Sequence, residues 1–240
     1  MRKDFLKEIF DCLVRYDILR VFDRVWNCPV DRKTENMGRV SNNRQKLMDA
    51  VLELIWTGSY GSTTIDNICE KAGVRKGSFY YYFESKADLA VEAMDEKWKS
   101  VRAESDSQFS PNIPPLERLQ NYCDFGYRVQ CEMKAKYGRV LGCPLFCLGS
   151  EIGTQEDALR KKIEDILAQK RKYLESAIRD AHAAGLVDVP DPAAKARMIQ
   201  VYYEGLLTQA RIQNDVEVLR DSAPGVFAML GIREPALATA

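Results

Sequence analysis

The chain has 240 residues, of which 46% are hydrophobic, and its 35 Lys and Arg balance 35 Asp and Glu to give zero formal net charge. This length suggests one large domain or two small ones, with enough apolar side chains to bury a core. The balanced charge excludes a polycation or an acidic tail protein, although a local basic face would still suffice to bind nucleic acid. Nine Pro and 14 Gly are too few for low-complexity disorder.

The histidine and cysteine content limits which metal sites, catalytic sites and disulfides the chain can form. The single histidine, His182, lies in a charged, Ala-rich helical stretch, so we expect no histidine-rich metal site, no Ser-His-Asp triad and no cofactor. Seven Cys is an odd count, the start of the chain is charged rather than signal-like, and no apolar run approaches the ~18 residues of a membrane span. We therefore expect a cytoplasmic protein with reduced thiols and no membrane partner.

The apolar residues follow helical spacing almost everywhere, and no alternating strand pattern is found, which predicts an all-α fold. Residues 1–36 show this spacing with charges interleaved. They form either an amphipathic helix or a segment outside a folded unit that begins at Met37. The stretch from Asn43 to Trp56 has one continuous apolar face, and Gly58 and Gly61 end it.

Shorter helices are predicted next. Thr64 caps a helix that Ala72 and Gly73 close, a second runs from about Lys76 to Tyr82, and Ser85 caps a longer one over 86 to about 104. Three Pro with Ser and Asn make 105–115 a loop between subdomains.

The second half is predicted to hold helices over 116–137, 156–184 (stopped by Gly185) and 193–214, with an irregular segment over 138–153. A last helix over 217–230 is predicted to break near Pro224 and Gly225. Helix 193–214 carries an aromatic and small-residue cluster that suits either a dimer interface or an intramolecular core: Tyr202, Tyr203, Leu206, Leu207 and Ala210.

The segment from Thr64 to Phe83, TIDNICEKAGVRKGSFYYYF, indicates two short helices joined by a tight turn at Gly73. Phe79 and Phe83 are four residues apart and share the inward face of the second helix, while we expect Tyr80 to be half buried against the first helix of the domain. The outward residues are then cations, a hydroxyl and aromatics, namely Arg75, Lys76, Ser78, Tyr81 and Tyr82. Such a face suits the major groove of DNA, as in a helix-turn-helix.

Residues 44–98 resemble the DNA-binding domain of TetR/AcrR-type transcriptional regulators. The quoted segment matches that family's pattern T-x-x-x-I-x-x-x-A-G-V-x-x-G-x-x-Y-x-x-F, followed by x-x-K-x-x-L, here Glu84 to Leu89. The resemblance implies an N-terminal three-helix helix-turn-helix DNA-binding domain over 41–101, after an extension over 1–40. It also implies a C-terminal helical ligand-binding and dimerisation domain over 102–240.

The resemblance also implies DNA contacts at matching positions. Thr64 and Lys86 would bind phosphate, Arg75, Lys76 and Gly77 would approach bases or backbone, and a basic arm would include Arg44 with Arg39 and Lys46. The full set of expected contacts is Thr64, Arg75, Lys76, Gly77, Ser78, Tyr81, Tyr82, Lys86 and Arg44. Residues 37–86 hold 7 cations and 5 anions, a net charge of +2, which predicts a shallow salt dependence per protomer.

The function that the resemblance implies is a repressor. It would bind double-stranded DNA at an inverted-repeat operator as a homodimer and be released by a small-molecule effector. Candidate effector-pocket residues are Tyr122, Phe125, Tyr127, Phe146, Met198 and Tyr202.

One alternative function is a thiol-based redox or electrophile sensor on the same scaffold, using Cys143 and Cys147. A remote one is an all-α enzyme, for which the sequence offers no phosphate loop, paired nucleophile or metal cluster.

Overall fold

A computed structural model describes residues 40–153 and 155–232. Residues 1–39, which include Arg39 and all but the last residue of the predicted 1–40 extension, lie outside the described residues. Within these ranges the chain forms α-helices and one 3-10 helix and no strand, which confirms the all-α prediction. In chain order the α-helices are α1 (Val40–Thr57), α2 (Ile65–Ala72), α3 (Lys76–Tyr82), α4 (Lys86–Gln108), α5 (Pro115–Tyr137), α6 (Pro144–Ile152), α7 (Asp157–Ala183), α8 (Pro192–Gln213) and α9 (Ser222–Met229), with the 3-10 helix at Glu217–Asp221 between α8 and α9.

Three predicted helix ends, at Thr64, Gly73 and Ser85, are confirmed by their caps. Thr64 accepts a hydrogen bond from the backbone N–H of Asn67, and the Asn67 side chain accepts one from the backbone N–H of Thr64, so the two residues form a capping box. Gly73 ends α2 in the left-handed region, at φ 65°, which a side chain would disfavour. Ser85 caps α4 through the backbone N–H of Asp88. Sequence-local hydrogen bonds therefore fix the starts of α2 and α4, whereas Arg75, which precedes α3, makes no side-chain cap.

Three predictions for the connecting segments are wrong. Helix α4 continues to Gln108 instead of about 104, which shortens the predicted 105–115 loop. The segment over 138–153 is not irregular throughout, because Pro144 begins α6, where a missing N–H costs no hydrogen bond. The predicted last helix over 217–230 is divided at Ser222, where the 3-10 helix gives way to α9, rather than at Pro224. Pro224 lies in the first turn of α9, where proline is tolerated.

Two large apolar cores pack the helices, and a small third cluster of Trp56, Met133 and Leu141 joins α1 to α5. The first core packs α1 to α4 and includes the fully buried Leu47, Phe79 and Phe83, together with residues of α6 and the start of α7. The second core packs α5, α7, α8 and α9 around buried residues such as Ile178 and Ile199. Because α6 and α7 contribute to the first core, the N-terminal helices are held directly against the C-terminal ones. None of the helices in the described ranges is long and apolar enough to cross a membrane.

Candidate nucleic-acid interface and effector cavity

Helix α3 is held from behind by its two phenylalanines. Phe79 and Phe83 are 0% and 1% exposed, as predicted from their spacing. Opposite them, Gly77 and Tyr81 lie at the centre of the outer face, and Tyr81 is 74% exposed. Tyr80 is 57% exposed, so the prediction that it is half buried is wrong. The half-buried tyrosine is Tyr82, which packs against the first core.

Gly77 has no intramolecular reason to be a glycine. A Cβ atom built on Gly77 meets no other atom within 4 Å, and its φ angle is not positive. Glycine is one of the least favourable residues in a helix, since it loses the most backbone freedom on folding. A glycine that the fold does not require, at the centre of an exposed helix face, is typical of a place where another molecule approaches the backbone closely.

The two donors of Thr64 that were predicted to bind phosphate already make hydrogen bonds within the chain. The Thr64 hydroxyl donates to Oδ1 of Asn67 at 2.7 Å, and the Thr64 backbone N–H donates to the same oxygen at 3.1 Å. Lys76 lies 2.8 Å from Asp66, in the first turn of α2, in an exposed ion pair. Both residues stay at the surface of the α2–α3 unit, but each of them already has a partner within the chain.

Lys86 points into the protein rather than away from it. Its Nζ donates to the backbone oxygens of Tyr60 and Thr63, at 2.7 and 2.8 Å, and lies 4.0 Å from the centre of the Tyr60 ring. Burial lowers the pKa of the amine, and the nearby Glu151 and Glu156 carboxylates oppose this shift. Lys86 thus holds the turn that leads to Thr64.

The remaining predicted cations divide into two groups. Arg44 is paired with Glu92 and also lies over the Phe83 ring, 5.6 Å from its centre. No ion pair is found for Lys46 or Arg75 within the described ranges, and Arg75, which precedes α3, is exposed. Arg75 is therefore the predicted base- or phosphate-contacting cation whose charge is least compensated by the chain itself.

A carboxylate of α6, missed in the sequence, clamps the turn between α1 and α2. Glu151 accepts hydrogen bonds from the backbone N–H groups of Tyr60, at 2.9 Å, and of Gly61, at 2.7 Å. Lys86 donates to the carbonyl oxygens of the same turn. Glu151 and Lys86 together therefore satisfy both the N–H groups and the carbonyl oxygens of this turn. No sequence signal links residues that are 90 positions apart, so only the structure reveals this clamp.

A cavity of about 260 Å³ lies between α1, α4, α5, α6, α7 and α8. Of the predicted pocket residues, Tyr122 and Phe125 line it. Phe146 and Met198 do not line the cavity and are 39% and 54% exposed, and the Tyr202 hydroxyl donates instead to the backbone oxygen of Asp221. The expectation that these residues share a pocket with Tyr122 is therefore wrong for this cavity.

Tyr127, also expected at the pocket, lies on another face of α5. Its hydroxyl donates to Oε1 of Glu217 at 3.1 Å, and the Arg220 guanidinium lies over its ring. The periodicity of α5 places Tyr122 and Phe125 on one side of the helix, but the sequence does not show which side faces the cavity.

The cavity wall depends on a glycine that sequence reasoning missed. Tyr203 packs against Tyr122 with 4.6 Å between ring centres. A Cβ atom on Gly126 would lie 1.5 Å from the Tyr203 hydroxyl oxygen, so only glycine leaves room for this ring. Tyr203 belongs to the cluster that was expected at either a dimer interface or a core, and the structure places it in the second core and at the cavity.

Burial raises the pKa of both cysteines in the segment around α6. Cys143 is buried at the start of α6, and burial raises the pKa of its thiol to about 12. Burial also raises the pKa of Cys147, although Arg211, whose guanidinium donates to the sulfur at 2.9 Å, opposes this shift. Within the described ranges these cysteines are free, and no group of three or more His, Cys, Asp or Glu is placed to hold a metal ion.

Helix α8 has an exposed stripe on the side away from the second core. Five exposed residues follow one another at alternating intervals of three and four, and the exposed fractions of Met198, Val201 and Ile212 are 54%, 66% and 71%. This spacing is the heptad pattern by which one helix packs against another. The stripe consists of Met198, Val201, Gly205, Thr208 and Ile212.

Comparisons with known proteins agree with this architecture. A family model described as bacterial regulatory proteins, tetR family, matches residues 47–93, and a tetracyclin repressor-like C-terminal domain matches residues 115–224. The transcriptional regulator AcuR of Cereibacter sphaeroides is 31% identical over 173 residues, which cover 70% of this chain and 76% of AcuR. The HTH-type transcriptional repressor DhaR of Mycobacterium sp. is 25% identical over 78% of this chain and 91% of DhaR.

Solved structures share the fold over most of the chain. The crystal structure of a regulatory protein TetR from Rhodobacter sphaeroides superposes with a TM-score of 0.69 and 28% identity, over 78% of this chain and 98% of that one. Reduced NemR from E. coli superposes with a TM-score of 0.67, over 78% of this chain and 97% of NemR, at 19% identity, which shows the fold alone.

Proposed function

Because the chain belongs to the TetR family of bacterial regulatory proteins and is thus a transcriptional regulator, we propose that it is a repressor. It binds an inverted-repeat operator as a homodimer in the cytoplasm and leaves the DNA when a small molecule fills the cavity. Regulators of this family bind DNA operators and small-molecule effectors, usually as dimers.

The observation that carries this proposal is the outer face of α3. Gly77 and Tyr81 form its centre, Ser78 lies beside them, and Arg75 precedes the helix with no ion pair in the described ranges. In the major groove, Gly77 would allow the backbone to approach, Arg75 would bind phosphate or guanine, and Tyr81 would contact phosphate, sugar or a thymine methyl group. Lys76 would join them by exchanging its exposed pair with Asp66 for a phosphate.

Thr64, Lys86 and Arg44 support this face from behind. The turn that Lys86 and Glu151 hold leads into Thr64, so that the N-terminus of α2 is presented to the DNA backbone. Arg44 and Tyr82 pack around Phe83 and fix the orientation of α3. We therefore assign a positioning role to Thr64, Lys86 and Arg44. The phosphate contacts would be made by the backbone N–H groups at the start of α2.

The stripe on α8 provides the dimer interface. Its exposed apolar side chains would pack against the same stripe of a second copy about a two-fold axis, and Gly205 would allow the two helices to approach closely. The two copies of α3 would then be separated by about one turn of DNA, roughly 34–36 Å, or a multiple of it. An operator with two-fold symmetry follows from the symmetry of the dimer.

Helix α6 connects the cavity to the DNA-binding unit. Three residues of its first two turns, Pro144, Leu145 and Leu148, line the cavity, and Glu151 near its end clamps the turn between α1 and α2. A ligand that fits the cavity better when α6 is displaced would shift the population toward that state and move the turn before α2. This displacement would change the position of α3 and weaken the grip on DNA.

The thiol-sensor alternative receives no support from the site. A thiol with a pKa near 12 holds almost no thiolate at neutral pH, and the thiolate is the reactive species. The second thiol, Cys147, has its pKa raised by burial as well. We therefore assign the response to reversible binding in the cavity.

The proposal is tested by footprinting the full chain on the DNA upstream of its own gene. We expect two protected half-sites, related by a two-fold axis, in a pattern that weakens as salt rises. Arg75→Ala should weaken binding about tenfold, the size of one good base or phosphate contact. Lys172→Ala, which removes an exposed charge from α7, is the matched control and should have little effect. Equal binding by both variants would refute the interface.

A further inference from the structure

A buried carboxylate lies in the wall of the cavity without a complete set of partners. Glu204, on α8, is 2% exposed and lines the cavity. Its Oε2 atom has no hydrogen-bond partner in the described part of the chain. Buried polar atoms in folded proteins nearly always have a partner, and an ionised oxygen without one is especially costly. The exception at Glu204 therefore calls for a donor that the described residues do not supply.

The groups that face Glu204 do not supply this donor. The Cys143 thiol hydrogen-bonds to the carboxyl group, which leaves Oε2 free. The Lys170 charge lowers the pKa of Glu204 but makes no hydrogen bond to its Oε2 atom. Burial raises the pKa of Glu204 despite Lys170, because the chain compensates its charge only in part. A cation placed in the cavity would complete this compensation.

The rest of the wall is suited to an organic cation. Tyr122, Tyr203 and Phe125 line the cavity, and the first two pack against each other. Aromatic faces attract cations, and they also cover an apolar ligand body. The charged side chains that line the cavity are three carboxylates and two ammonium groups: Glu104, Glu132, Glu204, Lys97 and Lys170. A ligand carboxylate near Glu204 would meet like charge.

We propose that the cavity takes a compact amine, with a protonated nitrogen that donates to Oε2 of Glu204 and an apolar body against the Tyr122 and Tyr203 rings. This inference rests on the proposed function, in that the cavity is the effector site. It adds the chemical class of the effector. The cavity of about 260 Å³ lies just below the usual range for ligand sites, so the amine is small.

Three probes of one shape and different charge test the proposal: benzylammonium, benzyl alcohol and benzoate. Calorimetric titration of the full chain should give benzylammonium at least tenfold higher affinity than benzyl alcohol, and no binding of benzoate. Glu204→Gln keeps the volume and removes the charge, and it should reduce the affinity for benzylammonium at least tenfold. Asp165→Asn, which makes the same kind of change at an exposed carboxylate of α7 outside the cavity, is the control and should keep the affinity within about twofold.

Stronger binding of benzoate, an unchanged affinity of Glu204→Gln, or no binding of any probe would overturn the proposal. Circular dichroism and operator footprinting on the same preparations show whether each variant is folded. If operator binding is intact and the amine does not bind, the ligand class is wrong and the proposed repressor function stands. If the protein binds the amine but no DNA, the proposed function fails and the amine site remains.

Discussion

Replacing Gly77 with alanine should make the protein more stable and a weaker DNA binder at the same time. The added methyl group meets no atom of the chain within 4 Å, and the φ angle of Gly77 suits any residue. The fold therefore gains from the change, because alanine loses less backbone entropy than glycine in a helix. If α3 lies in the major groove, the same methyl group occupies space at the centre of the interface.

The size of the stability gain follows from helix propensity. Glycine costs about 0.5–1 kcal/mol relative to alanine within a helix. For a chain of this size, 1 kcal/mol corresponds to a shift in Tm of about 2–4 °C. We therefore expect Gly77→Ala to raise Tm by about 1–4 °C. Because Gly77 is the second residue of a helix of 7 residues, the lower half of this range is the better expectation.

The loss of DNA affinity follows from packing. Inserting a methyl group into a closely packed site costs about 1–3 kcal/mol, because neighbouring groups must shift. This cost corresponds to a factor of roughly 5 to 150 in Kd. The loss would appear at every salt concentration, since no charge is removed, and the slope of affinity against salt would stay unchanged.

Thermal unfolding and fluorescence-anisotropy titration on the footprinted operator measure the two effects. Ser100→Ala, an exposed change on α4 that also favours the helix, is the control and should leave DNA affinity unchanged. A Gly77→Ala variant that gains stability and binds the operator as well as the wild type would show that α3 does not approach DNA through this residue. A loss of stability would contradict the reasoning about the fold itself.

Three further predictions concern the cavity and the clamp. Glu151→Gln should weaken operator binding about fivefold in anisotropy titrations, since it loses a charged acceptor worth about 1 kcal/mol to the Tyr60–Gly61 turn. Gly126→Ala should displace the Tyr203 ring, and effector-induced release should then need about tenfold more ligand, with operator binding unchanged without ligand. Cys143, with a pKa of about 12, should have a thiolate fraction of about 10⁻⁴ at pH 8. It should therefore resist iodoacetamide in the folded protein and react after unfolding, as followed by mass spectrometry; rapid labelling in the folded state would revive the thiol-sensor alternative.

Features encoded by neighbouring residues were predictable from the sequence. The N-caps Thr64 and Ser85, the left-handed Gly73 and the paired Phe79 and Phe83 each depend on residues within about four positions. Helical spacing and cap chemistry act over that range, so the sequence pattern reports them directly. The helix-turn-helix and its inward face follow from these signals alone.

Contacts between distant residues were not predictable. Lys86 has the position of a phosphate-binding residue, but the carbonyl oxygens that its ammonium binds lie more than 20 residues earlier. Glu151 looks like any exposed carboxylate until α6 brings it to the α1–α2 turn. Helix α6 itself was missed because Gly142, Pro144 and Gly149 have the composition of a loop, and only packing against the first core stabilises so short a helix.

The two faces of α8 show a different limit. Both faces carry apolar side chains, so periodicity alone identifies the helix without showing which face meets the core. The structure buries Tyr203 and Leu207 and leaves Met198, Val201 and Ile212 exposed. A dimer interface built on the tyrosines would need the opposite orientation of α8. Burial against α7 and the cavity decides this orientation. The aromatic face thereby becomes available to a ligand, and the aliphatic face to a second copy.

The segment that joins the cavity to the DNA-binding unit is tied at both ends. The Trp56 indole of α1 donates to the backbone oxygens of Leu141 and Gly142, at 3.2 and 3.1 Å, and Glu151 binds the turn after α1. Residues between these ties line the cavity, so a ligand that moves them must strain or break one tie. A charge-assisted hydrogen bond contributes about 1.5–3 kcal/mol, and coupling between sites is typically 1–3 kcal/mol. Loss of the Glu151 clamp alone is therefore large enough to account for release from DNA, and no rearrangement of the second core is needed.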